Sequence, residues 1–262
     1  MSALVVEGGV VHYEYYGHGS PLIFIHGWLG SWRYWVPVMD ELSESHRVYA
    51  IDLWGFGDSD KSRNQYTVEN YVRLLHTFVN DLGVRNPFPL VGHALGATIA
   101  ILFSARYPEM VNRIMAVSLP WASNAINTRS LQGSNLLDRV LGRSPMAGYE
   151  EWVRQEASRA APEAIEKSVQ SVMDVDLNSW LPSLQAPLLI LHGKNDTVIT
   201  PVDPSNFAHA GKSVRVLIMP QARHFPMLDQ SSQFNRLLID FLGADSPLDS
   251  LTLKQEWQRR VR

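Results

Sequence analysis

Cysteine is absent from the chain. That excludes disulfide staples, thiolate catalysis and cysteine-ligated metal sites together. An excess of charge of one sign is lacking too: 23 Lys and Arg stand against 26 Asp and Glu, for a net charge of -3. No basic field is available to hold a phosphate backbone, so a nucleic-acid partner is not expected. No apolar run is long enough to span a bilayer, so no transmembrane segment is expected. The opening MSALVVEGG carries no Lys or Arg and no apolar block ahead of a cleavage site. A secretory signal is therefore not expected, and a cytoplasmic protein is the default reading. No internal repeat or low-complexity tract stands out. What is present is 262 residues, 45% hydrophobic and 19% charged, enough for a folded chain with a sizeable core.

Short apolar runs alternate with helical patterns. Val10–Tyr16, Leu22–His26, Arg47–Asp52, Pro89–Val91, Ile114–Ser118, Leu188–His192 and Val214–Met219 read as strands. Leu22–Ile25 is apolar without a break, as a strand buried on both faces should be. Thr67–Leu82 places Val68, Tyr71, Val72, Leu75, Phe78, Val79 and Leu82 at helical spacing, with Thr67 as N-cap and Gly83 as stop. Leu95–Tyr107 and Gln233–Leu242 read as further helices, ended by Pro108 and Gly243. This alternation predicts the α/β class, with a mostly parallel sheet covered by helices on both faces.

Residues 121–180 break the rhythm with short helices around Tyr149–Ala160 and Pro162–Val172 and no convincing strand. The stretch is too long for an ordinary connection. It leaves from a strand's carboxyl end, where open parallel sheets bind ligands. The expected organisation is a core of residues 1–120 and 181–262, with 121–180 as a helical cap or lid. The tail from Ser246 mixes Leu251, Leu253, Trp257 and Val261 with Lys254, Arg259, Arg260 and Arg262. It reads as a terminal helix packed by Trp257; docking to an acidic protein partner or a membrane surface is the less favoured alternative.

The most informative stretch is Pro89–Gly96, PLVGHALG. A strand enters Gly92-His93-Ala94-Leu95-Gly96 and a helix leaves it. This is the pattern of a nucleophile elbow, Gly-x-Ser-x-Gly, with alanine where serine belongs. Its glycines let strand and helix approach closely, and the Leu95 N–H is aimed at a developing oxyanion. His26-Gly27-Trp28-Leu29-Gly30 follows a buried strand and would bring the Trp28 N–H alongside as the second donor. Asp196 lies in the loop after Leu188–His192, and His224 follows the last strand by a few residues. Elbow, acid, histidine is the chain order of one hydrolase architecture and not of the other serine hydrolases. Asp52-Leu53-Trp54-Gly55-Phe56-Gly57-Asp58-Ser59 adds a fourth block; Asp52, Asp58 and Ser59 are expected to shape a loop.

Together these blocks resemble the α/β-hydrolase family from about Val10 to Leu242, nearly the whole chain. The resemblance implies His224 as general base, Asp196 as its orienting acid, Trp28 and Leu95 as oxyanion donors, and Ala94 in the nucleophile position. An acid after the strand ending at Ser118 would be the alternative, but Ser118-Leu119-Pro120-Trp121 offers no carboxylate. Arg223 stands where the family usually has glycine, and Ala97 where a second glycine is common. Neither a cofactor nor a metal is implied, since His26 and His93 lack a carboxylate partner at ligand spacing and are expected to bond backbone.

A methyl group cannot attack a carbonyl, and removing the serine of a serine protease costs on the order of 10⁶ in turnover. The expected function is a serine hydrolase of small apolar carboxylic esters, lactones or related acyl bonds, inactive with Ala94. Two histories stand beside each other: a serine-to-alanine knockout, or a native alanine. A native alanine leaves a binding or sensor protein, or serine-independent chemistry by the His224–Asp196 dyad such as cofactor-free oxygenation. Dehalogenases and epoxide hydrolases need a carboxylate at the elbow and are excluded. Trp28, Trp32, Trp35, Trp54, Trp121, Trp152 and Trp180 lie in or beside loops and the cap, and Trp121 and Trp152 are the candidates for an apolar substrate wall.

Overall fold

The computed structural model describes residues 2–62, 64–131, 141, 148–207, 213–244 and 248–254. Its strands are β1 (Ser2–Val6), β2 (Gly9–Tyr16), β3 (Ser20–Ile25), β4 (His46–Ile51), β5 (Phe88–His93), β6 (Val111–Val117), β7 (Leu188–Gly193) and β8 (Val214–Met219). Among the described residues they form one eight-stranded sheet in the order β1-β2-β4-β3-β5-β6-β7-β8. β1 and β2 pair antiparallel, as do β2 and β4; every pairing from β4 to β8 is parallel. The α/β class with a mostly parallel sheet is therefore correct.

β1 adds to the strands expected from the sequence. It alternates exposed and half-buried positions and turns into β2 through Glu7-Gly8, both at positive φ. Such a two-residue turn matches the twist of a hairpin. The central strands are the opposite case: Leu22, Ile23, Phe24 and Ile25 are fully buried, as is every residue of β5 and β7. β3 lies between β4 and β5 in the sheet. The chain leaves β3 in one direction and returns to its other side, so a crevice opens at the carboxyl ends of β3 and β5. Ile25 pairs with Gly92 there, which sets the His26 turn beside the Gly92–Gly96 elbow.

The helices named here are α1 (Val36–Leu42), α2 (Val68–Asp81), α3 (Leu95–Arg106), α4 (Glu150–Arg159), α5 (Pro162–Met173), α6 (Leu177–Trp180), α7 (Pro226–Asp229) and α8 (Ser231–Gly243). α2 begins where the sequence indicates, with Thr67 Oγ1 accepting the Asn70 N–H at 3.2 Å. α3 is buried from Leu95 to Ser104 and forms the helical centre of the molecule.

α4, α5 and α6 occupy the chain between β6 and β7 and pack on the body. The Ala161 N–H donates to Gly55 O at 2.8 Å, and the Val68 N–H to Ser171 Oγ at 2.9 Å. Part of the 121–180 segment, residues 132–140 and 142–147, lies outside the described residues. So do Ser246 and Trp257, Arg259, Arg260, Val261 and Arg262 of the tail. Its nearer residues Leu248 and Leu251 are buried in the core. Among the described residues no helix is long and apolar enough to cross a membrane.

Candidate active site

Ala94 has φ 47 and ψ -108 and no exposed surface. A non-glycine residue in such a conformation stores about 1–3 kcal/mol of strain and persists only where its surroundings enforce it. Here both flanking glycines do so. A Cβ at Gly92 would lie 2.2 Å from Gly96 O, and one at Gly96 would lie 2.3 Å from Ile25 O. Strand, turn and helix touch backbone to backbone, with no room for a side chain. Leu95 opens α3, and the first N–H groups of a helix have no acceptor within it. The turn is thus a concentration of positive dipole beneath position 94.

The His26 turn closes on the elbow. A Cβ built on Gly27 would lie 3.0 Å from Ala94 Cβ. His26 Nδ1–H donates to Gly27 O at 2.8 Å, and its Nε2 accepts the Leu53 N–H at 3.0 Å. Burial lowers its pKa, which keeps the ring neutral and suits that pair of bonds. Trp28 is buried, and its indole N–H donates to Ser168 Oγ on α5 at 3.0 Å.

The acid and the histidine meet. His224 Nδ1 lies 2.9 Å from Asp196 Oδ2. The other oxygen, Oδ1, accepts the N–H groups of Val198 at 2.8 Å and Ile199 at 2.9 Å. Burial pushes the Asp196 carboxyl up, but His224 and these two N–H donors outweigh it and hold the pKa at about 2. A carboxylate can only accept, so Nδ1 carries the proton and donates it to Asp196 Oδ2, which leaves Nε2 as the ring's acceptor, the tautomer a general base requires. His192, at the end of β7, is neutralised by burial to a pKa of about 4 and accepts the Val202 N–H at 3.4 Å.

The histidine is also tied to the elbow. His93 Nε2–H donates to the His224 carbonyl at 2.7 Å, and their ring centroids are 4.6 Å apart. Ser118 Oγ donates to the same carbonyl at 3.3 Å. The Arg223 N–H donates to Asp229 Oδ2 at 2.7 Å, and its guanidinium bonds to Leu141 O. The structure therefore gathers residues 92–96, Asp196 and His224 at one end of the sheet.

The two tryptophans differ. Trp121 is 6% exposed, meets Phe207 edge-on at 4.5 Å, and lines a cavity of about 190 Å³ with Ala122, Ala125 and Val202. Trp152 is 38% exposed and meets Tyr149 at 5.2 Å, because α4 turns Val153 and Glu156 inward instead. A larger cavity of about 920 Å³ lies between Thr128, Leu131 and the α5 residues Ile165, Val169 and Met173. No residue of the elbow or of the His224–Asp196 pair lines it.

Sequence reasoning missed the ionic seam between α4 and the body. Glu156 is buried, with Arg159 Nη1 3.0 Å and Arg33 Nη1 3.3 Å from its Oε1. Arg33 also pairs with Asp58 at 3.0 Å, and Arg159 closes the ring on Asp58. Burial raises the Asp58 pKa, but Arg159 and Arg33 outweigh it and leave it lowered. Asp52 has the loop-shaping place expected of it, accepting N–H groups from Trp32 at 2.8 Å and Asp58 at 2.9 Å, with His12 Nδ1 2.9 Å away. Ser59 Oγ donates to Asp52 O at 2.7 Å.

The comparisons with known proteins agree with this architecture. A family model described as alpha/beta hydrolase fold matches residues 20–155. The chain is 26% identical over 251 residues to a pimeloyl-[acyl-carrier protein] methyl ester esterase from Nitrosomonas europaea, covering 86% of this chain and 96% of the relative. It is 25% identical over 273 residues to a 2-hydroxy-6-oxo-2,4-heptadienoate hydrolase from Pseudomonas putida, covering 92% and 96%. Among solved structures, the enol-lactonase from Burkholderia xenovorans superposes with a TM-score of 0.82 at 20% identity, covering 93% of this chain and 100% of that one. Elbow, sheet order and family model converge: the chain belongs to the α/β-hydrolase fold family.

Proposed function

We propose that this chain is built as a hydrolase of a small apolar carboxylic ester, lactone or related acyl bond, with turnover withheld by Ala94. The observation that carries the proposal is the His224–Asp196 pair, 2.9 Å apart and bonded to the elbow that presents Ala94. In a chain with serine at position 94, His224 Nε2 takes the hydroxyl proton as the oxygen attacks the carbonyl carbon. Asp196 holds the resulting imidazolium, and the Leu95 and Trp28 N–H groups hold the oxyanion. The leaving group takes the proton from His224 and departs. Water then repeats the cycle on the acyl-enzyme and releases the acid. With a methyl group at position 94 the first bond cannot form.

The substrate class follows from the walls and from the kin. Trp121 is buried against Phe207 and lines a cavity of about 190 Å³ with Ala122, Ala125 and Val202. Residues 121–180 serve as the lid, with α5 held to the oxyanion turn through Trp28 and Ser168. The similar proteins include a methyl ester esterase and an enol-lactonase, which fits ester or lactone cleavage here. Trp152 belongs to the lid's outer face in this reading, and Trp121 to the substrate side.

A second reading has its own support. The His224 Nδ1–Asp196 Oδ2 contact at 2.9 Å does not involve position 94, and it leaves Nε2 as the ring's acceptor whatever stands there. Proton abstraction from an activated C–H or O–H would then proceed in the chain as it stands. A panel of short p-nitrophenyl esters and lactones, offered to this chain and to Ala94→Ser, tests both. Hydrolysis by Ala94→Ser alone supports the first reading, and turnover by both forms supports the second. Turnover by neither, with ligand-dependent melting, leaves a binding or sensor protein.

A further inference from the structure

Tyr34 is the least expected neighbour of the site. It lies in the short turn Trp32–Trp35 before α1 and is buried. Its hydroxyl accepts the Gly27 N–H at 2.6 Å and lies 3.1 Å from His93 Nδ1. The direction of the second bond is fixed from the far side of the ring. The His224 carbonyl can only accept, so His93 Nε2 carries the proton at their 2.7 Å contact. His93 is neutral, held there by burial and the nearby His224, so its Nδ1 is an acceptor and the Tyr34 hydroxyl donates to it. The result is one directed chain: Gly27 N–H to Tyr34 Oη, Tyr34 O–H to His93 Nδ1, His93 Nε2–H to His224 O.

Each link sits at a different part of the site. Gly27 precedes Trp28 in the oxyanion turn, His93 precedes Ala94 in the elbow, and His224 is the base. Packing supports the same path: Tyr34 meets His93 edge-on at 5.6 Å, and Phe225 lies against Tyr34, His93 and His224 at 5.7, 5.2 and 5.1 Å. We propose that Tyr34 and His93 are positioning residues, which lock the oxyanion turn and the His224 main chain to the elbow so that donor and base keep one spacing about position 94. The proposal rests on the hydrolytic reading of this site for its consequence in turnover, but not for its consequence in geometry.

The test therefore has a readout that needs no activity. In the chain as it stands, the downfield proton resonance of His224 Nδ1–H, identified by its loss in His224→Ala, reports the bond to Asp196. Tyr34→Phe keeps the ring and removes the middle link, and should broaden or shift that resonance. Tyr71→Phe is the control, since Tyr71 is equally buried and its hydroxyl donates to Trp54 O at 2.9 Å. It should leave the resonance in place at comparable loss of stability. His93→Ala should abolish the resonance, and His93→Gln, whose amide can still donate to the His224 carbonyl, should restore part of it. In the Ala94→Ser background, Tyr34→Phe should lower kcat by roughly 10- to 100-fold with KM changed by less than about twofold. An inactive Ala94→Ser sinks the hydrolytic reading and leaves the resonance to judge the positioning. A resonance as sharp and unshifted in Tyr34→Phe as in Tyr71→Phe overturns the proposal.

Discussion

The indole N–H of Trp28 donates to Ser168 Oγ at 3.0 Å, across 140 residues of sequence. It joins the turn that approaches Ala94 to a helix of the segment between β6 and β7. The Gly27–Trp28 turn and α5 are therefore one packed unit, and the hydroxyl of Ser168 is its pin. Ser168→Ala leaves a buried donor without an acceptor and should cost about 1–3 kcal/mol in denaturant unfolding. A change below a few tenths would show that the pin bears no load.

Asp196 links stability to acid. Its pKa is depressed from 3.8 to about 2, so the folded state binds the proton more weakly than the unfolded state does. The stabilisation is present above the unfolded value and is lost as pH falls from about 4 through about 2. By that linkage the loss is about 2 kcal/mol. Asp196→Asn should flatten this part of the pH–stability curve measured by urea unfolding. An unchanged slope would mean that the carboxylate is not held as the geometry implies.

The elbow makes a prediction of opposite sign to most substitutions. Ala94 pays strain for φ 47, so Ala94→Gly should raise stability by about 1 kcal/mol. Gly96→Ala places a methyl group against Ile25 O and should lower stability by about 1–3 kcal/mol or prevent folding. Thermal melting of both variants beside the parent chain checks the pair. Equal melting of all three would contradict an enforced elbow.

The seam between α4 and the body should respond to salt. Removing the charge of Glu156 leaves Arg33 and Arg159 to share Asp58 as their counter-charge in the seam. Truncating one partner of a fully buried pair costs about 3–5 kcal/mol, and the partial exposure of both arginines reduces this to about 2. Glu156→Gln should show that loss at low ionic strength and a smaller one at high. A loss independent of salt would assign the effect to packing instead.

These pairings mark the boundary of what the sequence displays. The elbow, the His-Gly turn, Asp196 and His224 are legible because each stands in a short motif at a strand end, and their order restricts the architecture. Trp28–Ser168, Tyr34–His93 and Arg33–Glu156 are not legible, since each joins residues brought together only by folding. Trp152 shows why a side chain's direction is not legible either. Apolar residues normally face inward on a helix, but α4 buries the charged Glu156 against two arginines and turns Trp152 toward solvent. β1 escapes the pattern because it is only five residues long and lies at the sheet edge, where apolar side chains such as Val5 face solvent and leave no apolar–polar alternation to read.

The central claim is that position 94 lacks only an oxygen, and that base, acid and oxyanion donors already surround it. Steady-state hydrolysis of a short p-nitrophenyl ester by Ala94→Ser, with and without His224→Ala, tests it most directly. The account predicts turnover in Ala94→Ser at least about 10³-fold above the parent chain, abolished by His224→Ala. No gain from the added hydroxyl, or a gain indifferent to His224, would contradict it.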